Sequence, residues 1–128
     1  MAKQKIAILE DDPILVKSLS QTLIAAGYEI FSSLDGETGL EIIKKQKPDL
    51  VLLDIILPRK SGFEVMENLA LDPELRRIPV MVLTNLESSQ DINRMTELGV
   101  KSFLVKTNYS LDEVAAKIKE TLNKLGNK

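Results

Sequence analysis

The sequence predicts an α/β fold, in which a parallel β-sheet is covered by helices on both faces. Short apolar runs alternate with segments of helical periodicity along the whole length of 128 residues. The runs are nearly continuous in Leu, Ile and Val, which is typical of strands that are buried on both faces. Alternation of such strands with helices predicts a parallel sheet with right-handed crossover connections.

Five strands are predicted from these apolar runs. Four are rich in Leu or β-branched residues, and a weaker one begins at Tyr28. Along the chain they cover residues 6–9, 28–33, 50–53, 80–83 and 100–105. Because strands that alternate with helices form a doubly wound sheet, we predict a five-stranded (βα)5, flavodoxin-like sandwich with strand order 2-1-3-4-5.

Each predicted strand is followed by a predicted helix. Pro13 opens the first helix and Gly27 closes it, in line with the preference for Pro at the first helical position and Gly just past the last. Ser110 and Glu113 form a capping-box pattern at the start of the last helix, whose apolar stripe extends to Leu125. The remaining helices are predicted over residues 37–46, 62–71 and 88–98.

Composition restricts the size and the chemistry of the protein. A chain of this length fits one domain, and we expect residues 1–128 to form a single domain without an output domain. The chain contains 17 Lys and Arg, 19 Asp and Glu, no Cys and no His. These counts exclude disulfides, thiolate nucleophiles, zinc–thiolate sites and the commonest general base. The remaining chemistry depends on carboxylates, hydroxyl groups, lysine and hard metal ions.

The charge pattern argues against a nucleic-acid or membrane partner for this domain. The net charge is −2, and the basic pairs at 44–45, 59–60 and 76–77 are separated by acidic and apolar residues. We interpret these pairs as solvated surface rather than as a nucleic-acid-binding face. No apolar run approaches the ~20 residues of a membrane span, and the apolar stretch that ends at Glu10 is too short for a secretory signal. We therefore expect a cytoplasmic protein.

Polar side chains follow four of the predicted strands. The carboxyl ends of parallel strands meet at one edge of the sheet, and ligands bind there, next to the switch point between strands one and three. Four buried strands that deliver complementary polar groups to one edge are hard to attribute to chance. These groups are Glu10-Asp11-Asp12, Asp54, Thr84 and Lys106.

Asp54 is predicted to be the central functional residue at this edge of the sheet. It stands between the apolar residues 50–53 and Ile55, so its carboxylate enters a mostly apolar neighbourhood. The alternative is an Asp that forms or caps a turn, since Pro58 follows shortly. A buried charge is costly unless a partner compensates it, and Asp11 and Asp12 on the neighbouring strand would repel it. A hard cation such as Mg²⁺ would relieve that repulsion.

The acids that follow the first strand are assigned different roles. Asp12 precedes Pro13, which is a typical N-cap and first-position pair, so Asp12 is a candidate for both capping and metal binding. Asp11 has no such structural role and is the better candidate for metal binding alone. Glu10 is ranked below both, either as a third acid of the site or as a residue that faces away from it.

Lys106 and Thr84 complete a site for phosphoryl transfer. Lys106 supplies a cation for Asp54 or for a phosphoryl oxygen, although a lysine that ends a strand is often only a surface residue. Thr84 supplies a hydroxyl donor, but without a neighbouring base it is a poor nucleophile. Together these residues predict transfer of a phosphoryl group onto Asp54, with Mg²⁺ and Lys106 neutralising the phosphoryl oxygens.

These motifs closely resemble the receiver domain of two-component response regulators. The resemblance extends from residue 6 to about residue 125, and its motifs are the three acids at 10–12, the segment 54–62, Thr84 and Lys106. It implies that Asp54 is the phosphoacceptor and that Thr84 is the hydroxyl of a conformational switch. It also implies three Mg²⁺ ligands besides Asp54, namely Asp11, Asp12 and the backbone carbonyl of Ile56.

The resemblance further implies partners and a mode of action. A sensor histidine kinase or a histidine phosphotransfer protein would donate the phosphoryl group, and a downstream protein would bind the face formed by helix four, strand five and helix five. Phe103 occupies the switch-aromatic position, with plain core packing as the equal alternative. Such a domain is a monomer or a phosphorylation-dependent dimer. It is not a metabolic enzyme and catalyses only its own aspartyl phosphorylation and dephosphorylation.

Two positions depart from the family pattern, and two apolar residues near the site bear on the lifetime of an acyl phosphate. Asn85 stands where a small residue is usual, and Thr107 stands where proline, joined by a cis peptide, is usual. We predict that Lys106 nevertheless points into the acidic site, whether its peptide bond to Thr107 is trans or cis. The apolar Ile56 and Leu86 flank the site and are predicted to slow hydrolysis of an acyl phosphate. The departures leave open an alternative, a pseudo-receiver that binds proteins independently of phosphorylation.

Overall fold

The sheet has the predicted topology. A computed structural model describes residues 3–85 and 88–126, and within them five strands form one parallel sheet in the order β2-β1-β3-β4-β5. The α/β, doubly wound, flavodoxin-like architecture is thereby confirmed. The strands are β1 (Lys5–Leu9), β2 (Glu29–Ser33), β3 (Leu50–Leu53), β4 (Val80–Thr84) and β5 (Ser102–Val105).

Each of the predicted helices is present. Asp12 caps the first helix. At the start of the last helix the capping box forms: the amide of Ser110 donates to Oε1 of Glu113 at 3.0 Å, and the amide of Glu113 donates to Oγ of Ser110 at 3.2 Å. No helix in the described part of the chain is long and apolar enough to cross a membrane. The helices are α1 (Pro13–Ala25), α2 (Gly36–Gln46), α3 (Gly62–Ala70), α4 (Ser89–Glu97) and α5 (Leu111–Gly126), with short 3₁₀ helices at Leu75–Arg77 and Lys106–Asn108.

Helices cover both faces of the sheet, as the continuous apolar strands predict. Successive side chains of a strand point to opposite faces, so Ile6 and Ile8 pack with α1 and α5, whereas Ala7 and Leu9 pack with α2, α3 and α4. All four of these side chains are fully buried. The sheet is thus the middle layer of a three-layer sandwich, and its carboxyl edge lies between two helical layers.

Two strands begin later than predicted, and the cause is the same in both cases. Gly27 and Gly99 adopt φ angles of +104° and +106°, and each ends the preceding helix in a Schellman motif. In these motifs the amide of the residue after the glycine returns to the helix, from Tyr28 to Leu23 at 3.1 Å and from Val100 to Met95 at 3.0 Å. That residue is therefore part of the helix cap rather than of the strand.

Candidate functional site

Two acidic residues leave the sheet side by side at the carboxyl ends of β1 and β3. Leu9 is aligned with Leu53 in the parallel pair, and the amide of Asp54 donates to the carbonyl of Leu9 at 2.9 Å. Glu10 and Asp54 are the next residues along these two strands. Both are buried, with exposed fractions of 2% and 6%, so two carboxylates share a site that has little access to water.

Lys106 supplies a positive charge to this pair of carboxylates. Its ammonium lies 3.0 Å from Oδ2 of Asp54 and also contacts Oε1 of Glu10. No cis peptide occurs among the described residues, so the bond to Thr107 is trans, and the residues after β5 form the 3₁₀ helix Lys106–Asn108. The prediction that Lys106 points into the acidic site is therefore confirmed without the cis peptide that is usual in the family.

The carboxylate cluster at this edge is made of Glu10, Asp11 and Asp54. One carboxylate oxygen of each lies within 4.8 Å of the others. Asp12 has a different role, because its Oδ1 accepts the amides of Ile14 and Leu15 at 3.0 and 3.4 Å as the cap of α1. On the sequence alone Glu10 ranks below Asp12 as a residue of the acidic site, whereas in the structure Glu10 belongs to the carboxylate cluster and Asp12 caps α1. The Asp12–Pro13 pair in the sequence indicates this outcome, because the carboxylate of a helix-capping residue is turned toward the amides of that helix.

Burial changes the protonation of the site. The pKa of Glu10 is raised from 4.5 to about 7, mainly by burial; the hydrogen bond from Lys106 acts in the opposite direction, and the negative charge of Asp54 adds to the increase. Burial lowers the pKa of Lys106, but hydrogen bonds and charges from Glu10 and Asp54 outweigh that effect and raise it overall. The ammonium is thus fixed as a cation, whereas Glu10 titrates near neutral pH.

The loop between β3 and α3 holds Asp54 by close backbone packing. A Cβ atom on Gly62 would lie 2.5 Å from the carbonyl oxygen of Asp54 and 2.8 Å from Cα of Ile55, so only glycine fits there. The amide of Gly62 donates to the carbonyl of Ile55 at 2.8 Å. Ser61 and Glu64 then form a capping box at the start of α3. The helix start therefore fixes the position of the residues that follow Asp54.

The other predicted residues lie around the same edge. Thr84 is the last residue of β4 and is buried, with 4% exposure. Phe103 lies in β5 and packs partly buried against the core on the α2–α3–α4 side of the sheet. Ile56 is 61% exposed, and Asn85 is also exposed. Leu86 lies outside the described residues.

A contact between α3 and α4 was not anticipated from the sequence. The guanidinium of Arg94 stacks over the ring of Phe63 at 4.1 Å and lies 3.6 Å from Oε1 of Glu67. Met95 is the one α4 side chain that is fully buried among the described residues. The packing of α4 on the molecule therefore depends on a few contacts, one of which is a cation–π pair.

The fold and the acidic site together define a class of signalling domain. The family model of the response regulator receiver domain matches residues 6–119. The chain belongs to this family, whose members are signalling domains of two-component systems rather than metabolic enzymes. Receiver domains interact with histidine kinases or phosphotransfer proteins and with downstream effectors, and they generally bind Mg²⁺ at an acidic pocket.

Curated relatives include both short and long regulators. The polar-differentiation response regulator DivK of Brucella anthropi is 34% identical over 103 residues, which is 80% of this chain and 84% of DivK. The probable transcriptional regulator ycf27 of Porphyridium aerugineum is 32% identical over 125 residues, which is 98% of this chain and 50% of the relative. The chain thus spans about half the length of ycf27 and of similar relatives.

Solved structures of receiver domains have the same fold. A CheY-like receiver domain protein from Methanospirillum hungatei superposes with a TM-score of 0.89 at 26% identity, and the match covers 98% of each chain. The phosphorylated cyanobacterial phytochrome response regulator RcpA superposes with a TM-score of 0.79 at 29% identity, covering 94% of this chain and 91% of RcpA.

Proposed function

We propose that this chain is a phosphoacceptor receiver domain that takes a phosphoryl group from a phosphohistidine onto Asp54. The observation that carries the proposal is the ion pair between Lys106 and Asp54, at 3.0 Å, inside a cluster of three carboxylates. Without a functional reason, two buried carboxylates and an exposed third one beside a single ammonium are an unfavourable arrangement.

In the proposed reaction, an oxygen of Asp54 attacks the phosphorus of the donor. The P–N bond breaks, its electron pair returns to the imidazole nitrogen, and the imidazole takes up a proton as it leaves. The product is an acyl phosphate on Asp54. Because the attacking group is a carboxylate, no general base is needed, which suits a chain without histidine. Lys106 stabilises the negative charge on the phosphoryl oxygens.

We infer that Mg²⁺ is bound by Glu10, Asp11 and Asp54. These are hard oxygen donors, and their mutual repulsion disfavours the cluster unless a cation is shared among them. The ion would neutralise charge on the transferring phosphoryl group. The carbonyl of Ile56 and the carboxylate of Asp12 stay predicted ligands. Because the carboxylate of Asp12 already accepts hydrogen bonds as the cap of α1, we expect it to contribute less to Mg²⁺ binding than the other three acids.

We propose that phosphorylation is transmitted through Thr84 and Phe103 to the face formed by α4, β5 and α5. The small buried area of α4, with Met95 as its fully buried anchor among the described residues, suits an element that changes position. A downstream protein, or a second copy of the chain, would bind this face. RcpA, which has a similar structure, is described as phosphorylated, and this supports the proposal that the present chain is also a phosphoacceptor.

We further propose a place for this domain in a signalling pathway. Its phosphodonor would be a sensor histidine kinase or a histidine phosphotransfer protein, in the cytoplasm. The domain would act as one unit over residues 1–128 without binding nucleic acid itself. The absence of a clustered basic motif in the sequence supports the last point.

Phosphorylation by a small donor tests the proposal. The protein is incubated with acetyl phosphate in Mg²⁺ or in EDTA, and its intact mass is measured. We expect the mass of one added phosphoryl group in Mg²⁺, little in EDTA and none in Asp54→Ala. The matched control is Asp112→Ala, which removes an exposed carboxylate of α5 that is not part of the carboxylate cluster. This control is expected to behave as the unmodified sequence does.

The same experiment decides between the proposal and the pseudo-receiver. Failure to gain a phosphoryl group from acetyl phosphate, together with failure to bind beryllofluoride, would favour a domain that binds proteins independently of phosphorylation. Phosphorylation that persists in Asp54→Ala would show that another residue is the acceptor. Either outcome would contradict the role proposed for Asp54.

A further inference from the structure

A large open cavity lies at the edge of the sheet opposite to the carboxylate cluster. It has a volume of about 760 Å³ and is formed where β4 and β5 begin, between the carboxyl-terminal ends of α3, α4 and α5. Val80 and Ser102, the first residues of these strands, are among its lining residues. The volume falls within the range of roughly 300–1,000 Å³ that is typical of small-molecule sites.

The floor of the cavity is apolar and its rim is basic. Met66, Leu69 and Leu98 contribute to the apolar part of the lining. Four cationic residues and one acidic residue, Glu97, also line it, so their formal charge is +3 in a chain whose net charge is −2. The cationic residues are Arg76, Arg77, Lys101 and Lys124.

Three of these cations form no ion pair with any residue that the structure describes. Lys124 pairs with Glu120 at 3.4 Å, but Arg76, Arg77 and Lys101 take part in no ion pair within the described residues. Arg76 and Arg77 are held on the short 3₁₀ helix Leu75–Arg77, which Leu75 anchors with 2% exposure. Adjacent guanidinium groups on an anchored turn suit an anionic group, because each offers a fork of donors to planar or tetrahedral oxygens.

We propose that this cavity binds a small amphipathic anion, with an aromatic or otherwise apolar body and a phosphate, sulfonate or carboxylate group. The apolar body would lie on the floor near Leu69 and Leu98, and the anionic group would contact Arg76 and Arg77. A concave site of this volume favours a compact ligand over a flat nucleic-acid or protein surface. The inference goes beyond the proposed phosphoacceptor role and does not depend on it.

The proposed site touches the elements that form the proposed output face. Glu97 and Leu98 belong to the end of α4, Ser102 begins β5, and Thr121 lies on α5. A ligand seated there would contact all three elements at once. It would therefore affect their relative positions to the extent that it binds one arrangement more tightly than another.

Binding of 1-anilinonaphthalene-8-sulfonate tests the proposal directly. This probe combines an aromatic body with one sulfonate, and its fluorescence is easily followed in a chain without Trp. We expect saturable binding that weakens by at least about tenfold in the double variant Arg76→Gln, Arg77→Gln, since charge-assisted hydrogen bonds are lost. The neutral analogue N-phenyl-1-naphthylamine is expected to bind weakly and to be insensitive to the same variant.

A charge-matched control and a map of the site make the test decisive. Lys44→Gln, Lys45→Gln removes two exposed cations of α2 outside the cavity and should leave binding of the sulfonate unchanged. Ala70→Trp, at an exposed lining position, should block the cavity even if the arginine variant folds poorly. Amide chemical shifts on titration should change at Gly99, Ser102 and Thr121.

Three experimental results would contradict the proposal. It is wrong if the arginine variant binds the sulfonate as tightly as the unmodified chain, if the neutral analogue binds equally well, or if the shifted amides lie elsewhere. Binding only to vesicles of phosphatidylglycerol would instead identify a lipid-contacting face. Asp54→Ala should leave binding of the sulfonate intact, so failure of the phosphoacceptor proposal and failure of this one are distinguishable.

Discussion

Glu10 illustrates how burial and a neighbouring charge set the properties of a single residue. It is 2% exposed, and its Oε2 accepts the amide of Asp12 at 3.1 Å while its Oε1 faces Lys106. These contacts do not fully offset the loss of hydration, so the pKa of Glu10 stays raised, at about 7. The site therefore binds a proton near neutral pH in competition with any metal ion.

The raised pKa of Glu10 predicts that the protein loses stability as pH rises. Below about pH 4.5 the group is protonated in both the folded and the unfolded chain. Between that pH and about 7 the unfolded chain ionises first, so folding loses up to about 3 kcal/mol, and the full loss remains above pH 7. Glu10→Gln should therefore be more stable than the unmodified chain at about pH 8, and equal to it near pH 4.5.

Urea unfolding without Mg²⁺, followed by circular dichroism, measures this difference at each pH. The control is Glu29→Gln, in which the exposed carboxylate of β2 is replaced, so that it reports the effect of the substitution alone. A stability advantage of Glu10→Gln that shrinks as pH rises would have the wrong sign for a carboxyl group whose pKa is raised by burial.

Ile56 predicts how long an acyl phosphate survives. Its side chain is 61% exposed two positions after Asp54, where an apolar group does not orient an attacking water. Replacing it and Leu86 by polar residues, Ile56→Asn with Leu86→Gln, should shorten the half-life of the phosphorylated protein several-fold, since an oriented water is a better nucleophile. The half-life is read from the decay of the phosphorylated mass after donor removal. An unchanged half-life would refute the role of these two positions.

At the scale of secondary-structure elements, the loop from β3 to α3 connects Asp54, the proposed phosphoacceptor, to the start of α3. Gly62→Ala would bring a methyl group to 2.5 Å from the carbonyl oxygen of Asp54. We expect a loss of about 1–3 kcal/mol in the free energy of unfolding, because the backbone has to move apart. We also expect slower phosphorylation by acetyl phosphate, because that movement displaces Asp54.

Gly27→Ala separates the two effects of the loop variant. It places a methyl group at φ +104° with nothing within 4 Å, so it lowers stability through backbone strain at a position remote from the site. Its phosphorylation rate should match that of the unmodified chain. If both glycine variants slow phosphorylation equally, loss of stability rather than displacement of Asp54 explains the effect.

Helix α4 is predicted to be held in part by the stacking of Arg94 on Phe63. Arg94→Ala removes this contact and the ion pair with Glu67, and should lower protection of the α4 amides against hydrogen exchange several-fold, in line with about 0.5–1 kcal/mol for an exposed cation–π pair. Lys45→Ala on α2 is the control. Unchanged exchange in α4 would mean that Met95 alone anchors the helix.

At the scale of the whole molecule, the sheet topology could be predicted because it depends on a simple pattern. Runs such as 6–9 and 50–53 are apolar throughout, which requires burial on both faces and hence helices on both sides. The element boundaries were less predictable. Val100 is β-branched and apolar and so looks like a strand residue, yet its amide closes the cap of α4. A helix-cap hydrogen bond to the carbonyl of Met95 overrides the β propensity of Val100.

The sequence predicts which residues form the site, but it does not predict the role of each acidic residue. The strand ends identify Asp54, Lys106 and the acids at 10–12 because parallel strands converge there. Which of three consecutive acids faces Asp54 depends on the point at which α1 begins, and Asp12 is used as its cap. The ability of Lys106 to reach the site with a trans peptide after it was likewise not predictable, because that reach depends on the three-dimensional path of the loop.

A cluster of carboxylates and a group of cations lie at opposite edges of the sheet. Carboxylates gather at the ends of β1 and β3, whereas the cavity at the opposite edge has a formal charge of +3. The near-balance of 17 basic and 19 acidic residues conceals this separation. The proposed metal-binding edge and the proposed anion-binding edge would attract different partners, and the elements that form the proposed output face connect the two.

The residue that carries the phosphoryl group is the most direct test of the proposed function. After treatment with acetyl phosphate and Mg²⁺, reduction with borohydride converts an aspartyl phosphate to the corresponding alcohol, and peptide mass spectrometry locates the change. If Asp54, which lies 3.0 Å from the ammonium of Lys106, accepts the phosphoryl group, the conversion occurs at Asp54 and at no other carboxylate. Conversion at Glu10, Asp11 or Asp12 with Asp54 intact would contradict the account.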